Sequence, residues 1–151
     1  MKYINRIKDW KLLFRFARIG GSWSDVIERQ QKLINDGFGS RKALLRLTTA
    51  VSKSEIAHQV FGCMTMLDLL VSDTADFRGI NGVVLVRYRE DSQRFLIYHI
   101  AIDGEQECWA CPESEAWQML VMIISRKLLI RTEPARHEAC QPPAWFGVLT
   151  K

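Results

Sequence analysis

Two cysteine-containing pairs near the end of the chain have the spacing of metal ligands. Cys108 and Cys111 form one pair, and His137 and Cys140 form the other, each with two residues between. Three thiolates and one imidazole suit tetrahedral zinc. In a regular strand, however, Cys108 and Cys111 point to opposite faces, and a buried cysteine also behaves as a small hydrophobic residue. We therefore expect no bound zinc and no other cofactor.

The same Cys108 and Cys111 spacing admits two further chemical interpretations. Two thiols before a helix are typical of a redox pair, because a helix N-terminus lowers a thiol pKa. Here antiparallel turns precede the pair, which disfavours a thioredoxin-like site. His99 opposite Cys108 on a neighbouring strand would instead be a thiol–imidazole pair for nucleophilic catalysis. The chain has no Walker loop, dinucleotide fingerprint, nucleophile elbow or H-E-x-x-H motif that would support an enzyme.

Acidic side chains lie in or beside the predicted turns of the second half of the chain. Asp73, Asp76, Glu105 and Glu107 form the predicted binding surface. Residues 51–151 carry ten Lys/Arg against thirteen Asp/Glu, whereas residues 1–50 carry eleven against four. An acidic surface gains association rate and specificity from a basic partner. The charge map therefore favours binding to another protein.

A basic stripe in the N-terminal segment supports an alternative partner. Lys8, Lys11, Arg15 and Arg18 recur at helical spacing beside an apolar stripe. Such a stripe can neutralise nucleic-acid phosphates or lie on an anionic membrane surface. It is also typical of a helix that packs on the core with a solvated basic back, which is the interpretation we favour. Nucleic acid remains the rival partner.

The elements that must position these residues are clearest between residues 82 and 130. Two alternating runs, Gly82–Arg89 and Arg94–Ile102, predict paired strands, and a third run covers Glu107–Cys111. If Asp91-Ser92 and Asp103-Gly104 are two-residue turns, the register follows. That register pairs Tyr88 with Phe95, Val86 with Ile97, Val84 with His99, His99 with Cys108, and Tyr98 with Trp109.

Helices are predicted before and after this meander in the chain. The pattern indicates a helix over Tyr3–Ile19, one opening near Ser22 or Ser24 and ending at Gly37, and a short one capped by Ser40. Residues 54–72 fit either a helix or a strand, and we favour extended structure that joins the sheet. Ala116–Ile130 predicts a buried helix, and Phe146–Thr150 an edge strand. Helices from the N-terminal third are expected on one sheet face and the Ala116–Ile130 helix on part of the other.

The composition completes the prediction. The 151 residues are 48% hydrophobic and 25% charged, which is typical of a globular chain. The sequence predicts a single α+β domain over residues 1–151, with N-terminal helices packed on a mainly antiparallel meander and a buried C-terminal helix. No apolar run suits a membrane span. Four cysteines without a secretory signal predict a cytoplasmic protein with reduced thiols. The predicted function is protein binding of the inhibitor, immunity or adaptor type; a nucleic-acid-associated protein and a small cysteine-dependent enzyme are the alternatives.

Overall fold

The computed structural model describes residues 22–128, which fold as an antiparallel sheet with helices packed on it. The α+β class predicted from the sequence is confirmed. The elements are α1 (Trp23–Asn35), α2 (Lys42–Ser52), β1 (Phe61–Thr65), β2 (Asp68–Ser72), β3 (Val83–Arg89), β4 (Arg94–Ile100), β5 (Gln106–Pro112) and α3 (Glu113–Lys127). Short 3-10 turns occupy Gly39–Arg41 and Glu55–His58. The predicted Tyr3–Ile19 helix and Phe146–Thr150 strand lie outside the described residues.

Helix α1 begins and ends as its sequence predicts. Ser22 and Asp25 form a reciprocal capping box, which satisfies two backbone donors at the helix N-terminus. Gly37 follows the helix at φ +107°, a conformation that glycine adopts without steric cost. The predicted Ser40 cap of α2 is wrong. Ser40 lies within the 3-10 turn, and α2 begins at Lys42 without a side-chain cap.

Residues 61–72 are extended, as we favoured, but they form a hairpin of two strands. Thr65 pairs with Asp68, so Met66 and Leu67 make a two-residue turn. Met66 adopts φ +54°, a left-handed conformation in which methionine is uncommon. The five strands of the described part of the chain follow one another in chain order across the sheet.

The predicted register between β3 and β4 is confirmed. Tyr88 pairs with Phe95, Val86 with Ile97 and Val84 with His99. The turn between these strands spans residues 90–93 and is centred on Asp91-Ser92.

The predicted register between β4 and β5 is wrong by one residue. His99 pairs with Glu107 and Tyr98 with Cys108. The connection has three residues, 102–104, and Ala101 N–H donates to the carbonyl oxygen of Glu105 at 2.8 Å. Gly104 closes it at φ +90°, as in a three-residue hairpin that ends in a left-handed residue. The Asp-Gly step therefore belongs to a longer turn than the two-residue type we predicted.

The three helices between residues 22 and 128 all pack on the same face of the sheet, contrary to the prediction that the helices would divide between the faces. One continuous core joins Val26, Leu44 and Ile123 of the helices to Val86 and Ile97 of the sheet. A smaller cluster lies on the opposite face. Its buried members are Cys63, Leu70, Phe77, Val83, Leu85 and Ile100. We refer to the two sides as the helix-covered face and the opposite face.

Side chains that recur along α3 attach it to the helix-covered face. Its buried residues are Ala116, Met119, Leu120, Ile123 and Ile124. Glu113 and Glu115 lie in its first turn and Arg126 and Lys127 in its last, which complements the helix dipole. None of the helices within residues 22–128 is long and apolar enough to cross a membrane.

Two glycines provide a test of how closely β3 and β4 approach one another. Gly82 adopts φ +72°, and a Cβ there would clash with the carbonyl oxygen of Ile100; Gly37 also has positive φ but has open space around it. We expect Gly37→Ala to lower the free energy of unfolding by about 1–2 kcal/mol. Gly82→Ala should lower it by more than about 3 kcal/mol, because backbone strain and a backbone clash combine. Urea unfolding with unchanged m-values measures both, and equal losses would contradict the close approach.

Candidate functional site

The antiparallel order brings the predicted acidic residues to one end of the sheet. The loop after β2 carries Asp73 and Asp76, and it leads into the start of β3. The turn after β4 carries Glu105 and leads into β5, which carries Glu107. Because neighbouring antiparallel strands alternate in direction, both connections lie at the same end. We call residues 73–82 and 101–107 the acidic end.

The acidic end has a strongly negative formal charge. It holds five carboxylates, including Asp103, against the single cation Arg78. Glu107 is partly neutralised, because Lys127 Nζ lies 2.7 Å from its carboxylate. Asp76, Asp103 and Glu105 are exposed. Hydrogen bonding by the backbone N–H of Arg78 holds the pKa of Asp76 below its ordinary value, so this carboxylate is charged at neutral pH.

A buried phenylalanine anchors the loop of the acidic end. Phe77 is fully buried in the cluster on the opposite face, against Leu70, Val83 and Leu85. Its φ of +59° is uncommon for a bulky side chain and costs about 1–3 kcal/mol. Burying a phenylalanine contributes about 1.5–3 kcal/mol, which offsets that strain. The ring is therefore held against the opposite face of the sheet, while the residues on either side of it are exposed to solvent.

Hydrogen bonds fix the rest of this loop. Asn81 Nδ2 donates to Asp73 Oδ2 at 2.9 Å, and Gly79 N–H donates to Thr74 Oγ1 at 3.1 Å. His99 Nε2 lies 2.7 Å from the carbonyl oxygen of Asn81, which ties the loop to β4. The loop thus presents its exposed side chains from a fixed backbone.

Two large aliphatic side chains are exposed at the acidic end. The residue Ile80 is 84% exposed and Ile102 is 49% exposed. Val83 pairs with Ile100, so the two isoleucines lie just beyond the ends of neighbouring strands. Neither isoleucine was among the predicted site residues, and neither were Asp103 and Phe77. An apolar residue in a loop has the same sequence signal whether it turns inward, as Phe77 does, or outward.

The candidate catalytic pair is not assembled. His99 faces the helix-covered side. The register of β5 differs by one residue from the predicted one, so Cys108 lies on the opposite face beside Tyr98. The prediction that His99 lies beside Cys108 is wrong, and the cysteine-dependent enzyme loses the geometry on which it depended.

The thiol of Cys108 belongs instead to a polar row that crosses the opposite face. Arg87 bonds Asp68 through two nitrogens, with a shortest contact of 2.8 Å, and its guanidinium carbon lies 6.0 Å from the centre of the Tyr98 ring. Burial raises the pKa of Cys108, although a hydrogen bond from Tyr98 and the charge of Arg87 oppose the rise. A thiol that is protonated at neutral pH is a poor nucleophile.

The two described cysteines among the candidate metal ligands diverge. The strand places Cys108 and Cys111 on opposite faces, and Cys111 lies in the helix-covered core. Burial raises the pKa of Cys111 to about 12. His137 and Cys140 lie outside the described residues, so the zinc prediction stays untested. Between residues 22 and 128 no three His, Cys, Asp or Glu side chains are grouped as metal ligands.

The basic candidates Lys8, Lys11, Arg15 and Arg18 also lie outside the described residues. The chain matches no protein-family model, no curated protein and no solved structure.

Alkylation of Cys108 tests whether this thiol is activated. We expect its iodoacetamide rate, followed by peptide mass spectrometry, to keep rising up to pH 9, because burial raises its pKa. Tyr98→Phe should slow the reaction at each pH, since it removes a hydrogen bond that lowers that pKa. A rate that levels off below pH 8 would contradict this and revive a nucleophilic role.

Proposed function

We propose that this protein acts by binding another protein through the acidic end, as an inhibitor, immunity or adaptor protein does. The observation that carries the proposal is the gathering of five carboxylates and two exposed isoleucines at one end of the sheet, all of them on connections except Glu107, which lies at the start of β5. A surface that combines fixed charges with exposed apolar side chains is typical of protein interfaces.

The charge of the acidic end supports a basic partner. Carboxylates on a fixed loop attract a positively charged surface over about a Debye length and raise the association rate. The same charges repel phosphate, so the acidic end does not favour nucleic acid. The basic stripe that would bind nucleic acid lies outside the described residues. Nucleic-acid binding through this stripe is therefore one outcome that the experiment must distinguish.

The three free thiols between residues 22 and 128 support a reducing compartment. Cys63, Cys108 and Cys111 are unpaired, and burial raises the pKa of Cys63 to about 11. Free thiols persist where the cell keeps them reduced, so we propose a cytoplasmic location.

Charge neutralisation with a matched control tests the proposal. The test variant is Asp76→Asn with Glu105→Gln, which removes two charges and keeps an oxygen acceptor for the Arg78 N–H. The control, Glu28→Gln with Glu90→Gln, removes two exposed charges away from the acidic end. The tagged full-length chain is captured from its native cells. Proteins that co-purify in a constant ratio to the tagged chain are identified and expressed.

We expect the identified protein to associate with the test variant about tenfold more slowly than with wild type at low salt. The control should bind normally, and the difference should shrink as salt rises. Equal rates for the test variant and wild type would refute binding through the acidic end. Recovery of nuclease-sensitive nucleic acid, lost when Lys8, Lys11, Arg15 and Arg18 are changed to Gln, would favour the rival function.

A further inference from the structure

We infer that Ile80 and Ile102 are the apolar anchors of the acidic end, and that they bind a basic protein surface whose Lys and Arg side chains surround an apolar pocket. This inference rests on the proposed function and specifies the chemistry of the partner.

The placement of the two isoleucines distinguishes them from scattered surface residues. Single exposed apolar side chains are common and need no explanation. Here, however, the two isoleucines lie beside the adjoining ends of two strands. Val83 pairs with Ile100, and Gly82 packs directly on the Ile100–Ala101 backbone. Ile80 precedes this contact by two residues and Ile102 follows Ile100 by two. The two side chains are therefore carried by two backbone segments that pack tightly against each other.

The backbone that carries them is already ordered. Phe77, three residues before Ile80, is buried. Asn81, one residue after Ile80, is held by the contact between its carbonyl oxygen and His99 Nε2. Ile102 begins a turn closed by the Gly104 N–H, which donates to the carbonyl oxygen of Ala101 at 2.9 Å. Little loop entropy remains to be lost when a partner buries these side chains, and preorganisation of this kind increases affinity.

The charges around the isoleucines specify the rim of the partner's pocket. Asp103 is adjacent to Ile102, and Glu105 lies in the same connection. Interfaces commonly place apolar anchors at the centre and charged groups around them. A partner that receives the isoleucines thus gains from Lys or Arg at its rim. A second copy of the same end would place carboxylate against carboxylate, which opposes self-association.

A random peptide library displayed on phage provides a probe of this chemistry. The library is selected on the immobilised full-length chain, and enriched peptides are synthesised and measured by fluorescence anisotropy. We expect enriched sequences to combine Lys or Arg with aliphatic or aromatic residues. Ile80→Asn and Ile102→Asn should each weaken their binding at least tenfold, because burial of an aliphatic side chain is lost.

Met66→Asn is the matched control. Met66 is 90% exposed at the opposite end of the sheet, and Asn tolerates the left-handed conformation of that position. It should leave peptide affinity unchanged. Since all three side chains are exposed, none of these substitutions should impair folding, and urea unfolding checks this.

Three outcomes would overturn the inference. They are a library with no enriched peptide, enriched peptides without basic residues, and affinities that do not respond to either isoleucine variant. Concentration-dependent dimerisation abolished by Ile80→Asn would assign the surface to a second copy instead. If capture from cells depends on Asp76 and Glu105 but not on either isoleucine, the proposed function stands and the anchor assignment fails.

Discussion

The position of every side chain on β5 depends on the three-residue turn that precedes it. Gly104 closes this turn in a positive-φ conformation, which pairs Ile97 with Trp109. Since successive residues of a strand face opposite sides, this register sends Trp109 and Cys111 into the core and Cys108 to the opposite face. Trp109 then lies beneath Lys127, whose ammonium is 5.9 Å from the ring centre and pairs with Glu107. One turn thus determines the core, the thiol environments and the attachment of α3.

The sequence predicted correctly those helix ends and turns whose geometry is determined by neighbouring residues in the chain. Ser22 or Ser24 and Gly37 marked the ends of α1, and Asp91-Ser92 gave the correct register of β3 with β4. The register predicted for β4 and β5 from Asp103-Gly104 was wrong because a left-handed glycine occurs in both two-residue and three-residue turns. The two types of turn differ by one residue in register. The β1–β2 hairpin escaped prediction because Met66, a residue with no turn preference, occupies its left-handed position.

The candidate site was predictable only where topology alone determines it. Alternating strand directions are enough to place Asp73, Asp76 and Glu105 at one end of the sheet. Partial neutralisation of Glu107 was not predictable, because it requires the end of α3 to lie beside β5 and bring Lys127 within 2.7 Å. The direction in which Phe77 and Ile80 point was equally hidden, since it depends on which residue of the loop finds space against Leu70 and Leu85.

In the loop of residues 73–82, the side chain that holds the fold differs from the side chains of the proposed binding surface. Phe77 accepts a left-handed backbone because its ring fills the cluster on the opposite face, so strain and burial nearly balance within the loop. That balance fixes the backbone on either side of the ring, where Asp76 and Ile80 are exposed. These exposed side chains contribute little to the core, so they can change with small effects on stability. Phe77 cannot, because removing its ring would both open a cavity and release the backbone that presents them.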